Sequence, residues 1–518
     1  MDPITLQVMA SAMRSIADEM EAALVRSAFS PNITERRDCS TAIFDAQGQM
    51  ISQSASIPVH LGAMPDAVRA VIAAGPDPGD IWILNDPFTG GTHLPDLTLI
   101  SPLHVEGAHL GYAVSRAHHA DVGGIAPGSM PAGSRELFQE GLVLPPVRLV
   151  AAGSLCQDIV AVILANSRTP SERSGDLRAQ IAAHRLADAR MRELVSRCGR
   201  ALVEDACAEL LAYAERRTRA ELARIPDGTY RAEEWLEGDG VTDDPIAIRV
   251  SVSVSGDRLT VDFAGTDPAG PGNCNCPLAV THSAVYFVIR CVTDPDIPAS
   301  SGAFAPVTVT APPGCLVNAA FPAAVAAGNV ETSSRIVDAV FAALGQAIPV
   351  PAQGQGTMNN LTIGAPGFTY YETLGGGQGA GPDADGPSAV HVAMSNTRNT
   401  PVEALETAYP IRVERYCVRR GTGGAGAHSG GDGVTRVLRV LVDAEVSVIS
   451  ERRHSSPRGA ALGDDGHPGA NRLNGAAVPA KWRGRVAAGD VIQIDTPGGG
   501  GWGPPPTRAD RPGGVGPR

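Results

Sequence analysis

Asn85-Asp86-Pro87-Phe88-Thr89-Gly90-Gly91-Thr92-His93-Leu94-Pro95-Asp96, followed some twenty residues on by Arg116-Ala117-His118-His119-Ala120-Asp121-Val122-Gly123-Gly124, decides how this chain is read. Leu97 to Val105 has the composition of a strand, Glu106-Gly107 that of a turn, and His109 to Ala117 that of the return strand. A two-residue hairpin centred on Glu106-Gly107 sets His118 opposite about Pro95, next to Asp96. Two imidazole/carboxylate pairs, His93/Asp96 and His118/Asp121, thereby meet at one end of the hairpin without help from the rest of the fold. Neutral imidazole plus carboxylate suits a borderline divalent ion such as Zn or Mn. His118 and His119 face opposite sides of their strand, and His118 is preferred as the ligand because it shares a face with Val114 and Arg116. Asp121 is placed beside the imidazoles as an orienting group. The competing reading is that these are polar residues capping tight turns.

The helical pattern extends outward from this unit. Pro3 to about Ala28 carries one apolar stripe, Ile4, Val8, Met9, Met13, Ile16, Met20 and Leu24. Short strands follow at 41–44 and 50–54, a helix over about 64–74 after His60-Leu61-Gly62, and a strand at 81–84. Residues 171–224 read as two long helices. Strands alternate through 230–263, with helices at 281–291 and 331–346 and a strand at 306–310 between them. Beyond 346, glycine clusters such as Gly375-Gly376-Gly377-Gln378-Gly379 and Gly498-Gly499-Gly500-Gly501-Trp502-Gly503 alternate with short strands. The expected fold is multidomain α+β. It comprises a β-rich N-terminal metal-binding unit with helices (1–165), a helical segment with a central α/β domain (166–345), a glycine-rich β-layered C-terminal domain (346–503) and a disordered tail (504–518).

Composition bounds the function. The 518 residues exceed one core, and aromatics are only 4% against 59 glycines and 41 prolines. A net charge of −13 without a basic block makes nucleic acid an unexpected partner. Lys481 is the only lysine, so no G-x-x-x-x-G-K-[ST] phosphate loop exists in this sequence. The glycine clusters join no clear strand to a clear helix, which leaves tight turns or interface contacts as their reading. Nine scattered cysteines, with Cys274-x-Cys276 the one close pair, fit reduced thiols and a cytoplasmic location. No signal peptide or membrane span is visible.

Three further residues are candidates. Asp38, in Glu35-Arg36-Arg37-Asp38, has an oxygen to offer as a fourth ligand, although an exposed charged turn is the simpler reading. His60, after Ile57-Pro58-Val59, is a candidate general base, against a structural histidine. Arg398 has the geometry to bind a carboxylate or to hold a loop.

These stretches together resemble the B-type (beta) subunits of the hydantoinase/oxoprolinase family, which includes N-methylhydantoinase, prokaryotic 5-oxoprolinase, caprolactamase and the related large subunits of acetone and acetophenone carboxylases. The resemblance runs over about residues 2 to 503. It is carried by Glu35 to Ser40, Ile57 to Gly62, Asn85 to Asp96, Ala117 to Gly124, Thr397 to Glu406, Gly430 to Gly433 and Thr496 to Gly503. It implies a two-component, ATP-dependent enzyme. An A-type subunit of the actin/acetate-kinase-like kind would phosphorylate the carbonyl oxygen of a cyclic amide such as a hydantoin, 5-oxoproline or a lactam, and the B-type chain would hydrolyse the activated amide at a metal centre. A hetero-oligomer such as A2B2 follows. His93, Asp96 and His118 match the family's ligand positions, with Asp38 as the implied fourth. His119 falls where relatives often carry an aromatic residue, which again favours His118. The ion would activate a water, and a carboxylate such as Asp121 would accept its proton. A ketone carboxylase subunit would share the same ligands and is the alternative, although this chain is shorter than the carboxylase large subunits. A non-enzymatic partner that only organises the ATPase is the third reading.

Overall fold

A seven-stranded antiparallel sheet is built around the Glu106-Gly107 hairpin in the computed structural model, which describes residues 1–54 and 57–505. Its strands are β1 (Cys39–Asp45), β2 (Met50–Gln53), β3 (Ile81–Leu84), β4 (Asp96–Val105), β5 (Ala108–His118), β6 (Val147–Ala151) and β7 (Ser154–Leu155), in the order β2-β1-β5-β4-β3-β6-β7. Glu106 (φ 51°) and Gly107 (φ 80°) both take positive φ, as a turn that follows the strand twist requires. The register departs from the simple expectation. Val105 pairs with Ala108 and His104 with His109, but Leu103 pairs with Gly111, so Leu110 is an extra residue on β5. The bulge carries through to the far end, where His118 lies opposite Asp96 rather than Pro95. Gly111 is required beside it, because a Cβ there would lie 1.9 Å from the Phe44 carbonyl oxygen of β1.

Both faces of this sheet are covered. The Pro3–Ser27, Pro170–Cys198 and Arg200–Leu222 helices share one core with Ile43, Leu103 and Ala113, through Met13, Met20, Ala183 and Leu210 among others. The helical stripe is buried from Met9 to Leu24, but Ile4 (78% exposed) and Val8 (59%) lie outside it, a correction to the expected run. On the other face the Met64–Ala74 helix packs Met64 and Val68 against Phe44, Trp82, Ile100 and Val114.

A second sheet contains β8 (Gly228–Leu236), β9 (Ile246–Ser255), β10 (Arg258–Asp262) and β11 (Val307–Thr310), in the order β11-β10-β9-β8, with β10 and β11 parallel. The Leu278–Val292 and Ser333–Leu344 helices bury their apolar sides in the same core. The C-terminal strands are β12 (Asn360–Ala365), β13 (Phe368–Glu372), β14 (Ile411–Arg419), β15 (Gly433–Val440), β16 (Ala444–Ile449), β17 (Ala470–Leu473), β18 (Ala476–Val478), β19 (Lys481–Val486) and β20 (Val491–Asp495). They form two sheets, β13-β12-β16-β19 and β14-β15-β20-β17-β18, which enclose Leu361, Ile363, Tyr370, Leu438, Val446, Ile492 and Ile494.

The glycine runs pack backbone on backbone. Gly431 N donates to Gln378 O, Gly499 N to Gly431 O and Gly424 N to Gly499 O, each at 2.8 Å. A Cβ at Gly499 would sit 2.1 Å from the Gln378 carbonyl oxygen, so side chains are excluded by the closeness of the chains. These N–H groups face protein carbonyls. The expected tail lies, from residue 506 on, outside the described residues. Among the described residues no helix is long and apolar enough to cross a membrane.

Candidate metal centre

The 85–96 loop is fixed before it delivers any ligand. Asn85 Nδ2 donates to the carbonyls of Leu94 (2.8 Å) and Leu142 (2.9 Å), and its Oδ1 accepts from Leu144 N (2.7 Å). Arg116, fully buried on β5, donates to Thr98 Oγ1 (2.8 Å) and to the Gly90 carbonyl (2.7 Å), tying the loop to the sheet. Gly90 (φ 99°) lies so close to the Met64–Ala74 helix that a Cβ would come within 2.2 Å of Ala67 N.

Three donor atoms converge at the loop's end. Asp96 Oδ1 is 3.0 Å from His93 Nε2 and 3.2 Å from His118 Nδ1, and the two nitrogens are 3.2 Å apart. All three residues are buried to within 2%. Donors bonded to one ion at about 2.0–2.2 Å, at angles of 90–109°, lie about 2.8–3.6 Å from one another, so this spacing suits ligands of a single cation. Asp96 Oδ2 accepts the Thr92 hydroxyl and is 3.5 Å from His60 Nε2. Ser40 Oγ and His60 Nδ1 share a hydrogen bond of 2.9 Å, which fixes that ring.

The electrostatics agree with the geometry. Burial would raise Asp96, but the charge on His93 and hydrogen bonds from His118, His60 and His93 outweigh it and hold the carboxyl well below the usual range. Burial would lower His93, but the Asp96 charge and hydrogen bond, with the Asp38 charge beyond them, leave it raised. Burial keeps His118 below the ordinary imidazole value despite its bond to Asp96.

Asp38 joins the same cavity, and Asp38 and Arg36 are buried where an exposed charged turn is the simpler reading of the sequence, with Arg37 between them exposed. His118 N donates to the Asp38 carbonyl (3.0 Å), so the entry to β1 lies beside the end of β5. Arg36 is fully buried, donates to Tyr371 O (3.0 Å) and Thr373 Oγ1 (2.9 Å), and stands 3.7 Å from the Asp38 carboxylate. Tyr371 in turn stacks on the His118 ring, centroids 4.5 Å apart at 15°. The cavity measures about 20 Å³, room for a single ion or water. Its wall includes Asp38, His60, His93, Asp96, His118 and, from distant sequence, Asn329.

Other expected groups lie elsewhere. Asp121 does not reach the cavity. Its buried carboxylate accepts from Gly123 N (3.1 Å), Gly128 N (3.0 Å), Arg168 N (2.9 Å) and Arg168 Nη1 (2.9 Å), so it organises the loop that follows β5 and has no lone pair directed at the ligands. His119 faces away, with Nε2 3.0 Å from Gln180 Oε1. Arg398 is exposed, and its backbone N–H holds the Arg36 carbonyl (2.9 Å). Cys274 and Cys276 are buried, and burial pushes both thiols up to about 12. Sequence reading missed Tyr371, Asn329 and Arg36, which arrive from remote segments or were read as surface. Only the Arg36 position, two residues before a candidate ligand, offered a signal.

Comparison with known proteins places this architecture. Residues 2–505 match the model of the hydantoinase B/oxoprolinase family. The chain belongs to that family. It is 36% identical to the 5-oxoprolinase of Dictyostelium discoideum over 97% of its own length, but spans only 40% of that protein. It is 32% identical to the B-type subunit of a putative D-/L-hydantoinase from a Pseudomonas species, covering 97% of this chain and 90% of that one. The ATP-dependent caprolactamase of Pseudomonas jessenii superposes with a TM-score of 0.90 at 28% identity, covering 97% of this chain and 91% of that one. Acetone carboxylase shares the fold, with a TM-score of 0.87 at 19% identity over 97% of this chain and 76% of its own. Family membership marks the chain as a relative of ATP-dependent cyclic-amide hydrolases.

Proposed function

We propose that this chain is the metal-binding, ring-opening subunit of an ATP-dependent cyclic-amide hydrolase, acting on a hydantoin, 5-oxoproline or lactam activated by an A-type ATPase subunit. The observation that carries the reading is the convergence of His93, Asp96 and His118, all buried, on one small cavity, in a chain more than 30% identical to proteins named for amide hydrolysis. The donor set, two imidazole nitrogens and a buried carboxylate with Asp38 and His60 beside them, fits a Zn or Mn ion. His93, Asp96 and His118 would hold it, with Asp38 as the fourth ligand. A divalent ion bound there supplies Lewis acidity, which brings the pKa of water towards neutrality.

The chain's own residues divide the remaining work. Phosphorylation of the carbonyl oxygen by the partner makes the ring carbon electron-poor, and water adds to that carbon. His60 is the proton acceptor, since it lines the cavity and the tautomer that donates Nδ1–H to Ser40 Oγ leaves its Nε2 unprotonated. The same imidazolium then returns the proton to the ring nitrogen as the C–N bond breaks; the added hydroxyl gives up its proton to solvent, and hydrolysis of the resulting acyl phosphate releases the carboxylate and inorganic phosphate. Asp121 takes no part, because its lone pairs are committed to the 123–128 loop and Arg168. With no phosphate-loop lysine available, ATP chemistry is assigned to the partner in a complex such as A2B2. The Pseudomonas relative, itself named as one component of a hydantoinase, supports this division.

The test is to produce the chain with its ATPase partner and to assay ATP-dependent ring opening of hydantoins, 5-oxoproline and lactams. Acetone and acetophenone with bicarbonate belong in the same panel. Ring opening that disappears on chelation and returns with Zn or Mn supports the reading. Carboxylation without ring opening would replace it with the ketone carboxylase alternative.

A further inference from the structure

Asn329 is 3% exposed on the wall of the cavity, and its Oδ1 has no hydrogen-bond partner. A buried acceptor left unpaired costs free energy and calls for a reason. The reason is not looseness. Asn329 sits in a π-helical turn, Gly328–Thr332, a geometry that recurs at functional sites, and the turn is held from several sides. Gly328 N donates to Asn273 O (3.0 Å), and the backbone runs so close to Asn275 that a Cβ on Gly328 would lie 1.9 Å from its carbonyl oxygen. Ser333 Oγ donates to the Asn329 carbonyl (2.7 Å) and Thr332 Oγ1 to the Cys274 carbonyl (2.5 Å). Glu331 accepts from Met358 N (3.3 Å) and Asn360 Nδ2 (2.9 Å). The turn is thus pre-organised around one side chain whose acceptor is left free.

Neighbouring hydroxyls on the wall are already engaged. Thr397 Oγ1 pairs with Thr373 Oγ1 (2.7 Å), and Ser395 Oγ with His391 Nδ1 (2.7 Å). Asn329 is the wall's carboxamide with an acceptor to spare. A ring amide is locked cis and presents its N–H and carbonyl along one edge. Once the carbonyl oxygen carries a phosphoryl group, the electrophilic form is the one with a protonated ring nitrogen. An oxygen that accepts this N–H makes a charge-assisted bond, stronger than the one it makes to the unactivated amide.

We propose that Asn329 Oδ1 accepts the N–H of the scissile ring amide, making it the residue that selects unsubstituted over N-alkylated ring amides. This rests on the reading of the chain as a cyclic-amide hydrolase subunit. The test uses the chain with its ATPase partner, the substrate pairs 5-oxoproline/N-methyl-5-oxoproline and caprolactam/N-methylcaprolactam, and the variants Asn329→Leu, Asn329→Ala and Asn329→Asp. The wild-type complex should open the N–H member at least about 100-fold faster than its N-methyl counterpart. Asn329→Leu and Asn329→Ala should lose about 100-fold on the N–H member and change the N-methyl member only a few-fold, so the preference collapses. Asn329→Asp, which keeps an acceptor, should retain the preference. Metal content should not change, and the thermal midpoint of Asn329→Leu should equal or exceed that of wild type, because an unpaired acceptor is removed. An Asn329→Leu or Asn329→Ala variant that keeps the N–H preference overturns the proposal, as does equal loss on both members with a lowered midpoint. A wild-type complex that opens no cyclic amide defeats the hydrolase reading itself, whereas an active wild type with indifferent variants defeats the Asn329 assignment alone.

Discussion

Asp96→Asn is the substitution that bears most directly on the proposed metal centre. The carboxamide keeps the volume of the carboxylate and the contact with the Thr92 hydroxyl, so the fold of the 85–96 loop should persist. What it removes is the negative charge shared by His93 at 3.0 Å and His118 at 3.2 Å. Loss of an outer-shell partner weakens metal binding by about 10–100-fold, so loss of a charged ligand should cost at least about 100-fold. At a free-ion concentration about 100 times the wild-type dissociation constant, binding stabilises the native state by about 2.7 kcal/mol, and at a 100-fold weaker site the same concentration gives only about 0.4 kcal/mol. The thermal midpoint of the wild-type chain should therefore rise clearly on adding Zn or Mn after chelator treatment, while that of Asp96→Asn should barely move. Elemental analysis after dialysis should find about one ion per wild-type chain and far less in the variant. Each protein is compared with and without the ion, so the cost of breaking the buried pair in the metal-free state cancels. Stoichiometric metal in Asp96→Asn, with an undiminished thermal shift, would refute the assignment of this carboxylate as a ligand.

Other expectations follow from the same structure. Asp121→Asn should lower stability by about 2–4 kcal/mol, since a buried carboxylate with four donors is replaced by a group that cannot accept from all of them, yet leave metal content intact; metal loss without loss of thermal stability would return Asp121 to the site. His184 is buried between Ser101 Oγ (2.7 Å) and Ser115 Oγ (3.0 Å), and burial pushes it down to about 3. The unfolded chain therefore binds this proton below about pH 6.5 while the native state does not, so the contribution is present above that pH and is lost as pH falls towards 3, by about 2 kcal/mol at pH 5. A His184→Gln variant should show a smaller drop in denaturation midpoint between pH 7.5 and pH 5, and an equal drop would contradict the assignment. Gly90→Ala should cost about 3 kcal/mol or more, because its Cβ would meet Ala67 N at 2.2 Å and φ is 99°, and the soluble yield and midpoint of the variant measure it.

The part of the site legible in the sequence was local. His93, Asp96 and His118 lie at the two ends of one hairpin, and the turn residues Glu106-Gly107 were enough to bring the ends together. The bulge at Leu110 was not legible, because it answers to the approach of Gly111 to β1, a strand from a separate stretch of chain. Its effect is not cosmetic. A one-residue slip turns every side chain beyond it to the other face, and only with the bulge does His118 stand directly opposite Asp96. Asp121 was drawn into the site by sequence proximity, three residues past His118, but the strand has ended there and the loop needs the carboxylate for its own N–H groups. The glycine runs suggested turns or contacts and were in fact adjoining backbones, a relation between segments that no single run reveals.

The cavity wall divides along the same line. Three of the proposed ligands, His93, Asp96 and His118, come from one short stretch of chain, so charge pattern and spacing expose them. The groups that would meet a substrate, Asn329 on its π-helical turn and Tyr371 against His118, come from the central and C-terminal parts of the chain and enter only through tertiary packing. A cavity of about 20 Å³ cannot admit a ring of five or more atoms as it stands, so a substrate must displace some of that wall. The hairpin is pinned by Asn85, Arg116 and the sheet register, whereas Met358, Met394, Ser395 and Thr397 line the cavity from segments outside it. Movement on binding should therefore fall on the segments from 358 to 397 rather than on the ligands. Discrimination of ring size is then a property of the C-terminal wall, beside the N–H recognition proposed for Asn329, and the hairpin proposed to hold the ion can remain unchanged while that wall varies.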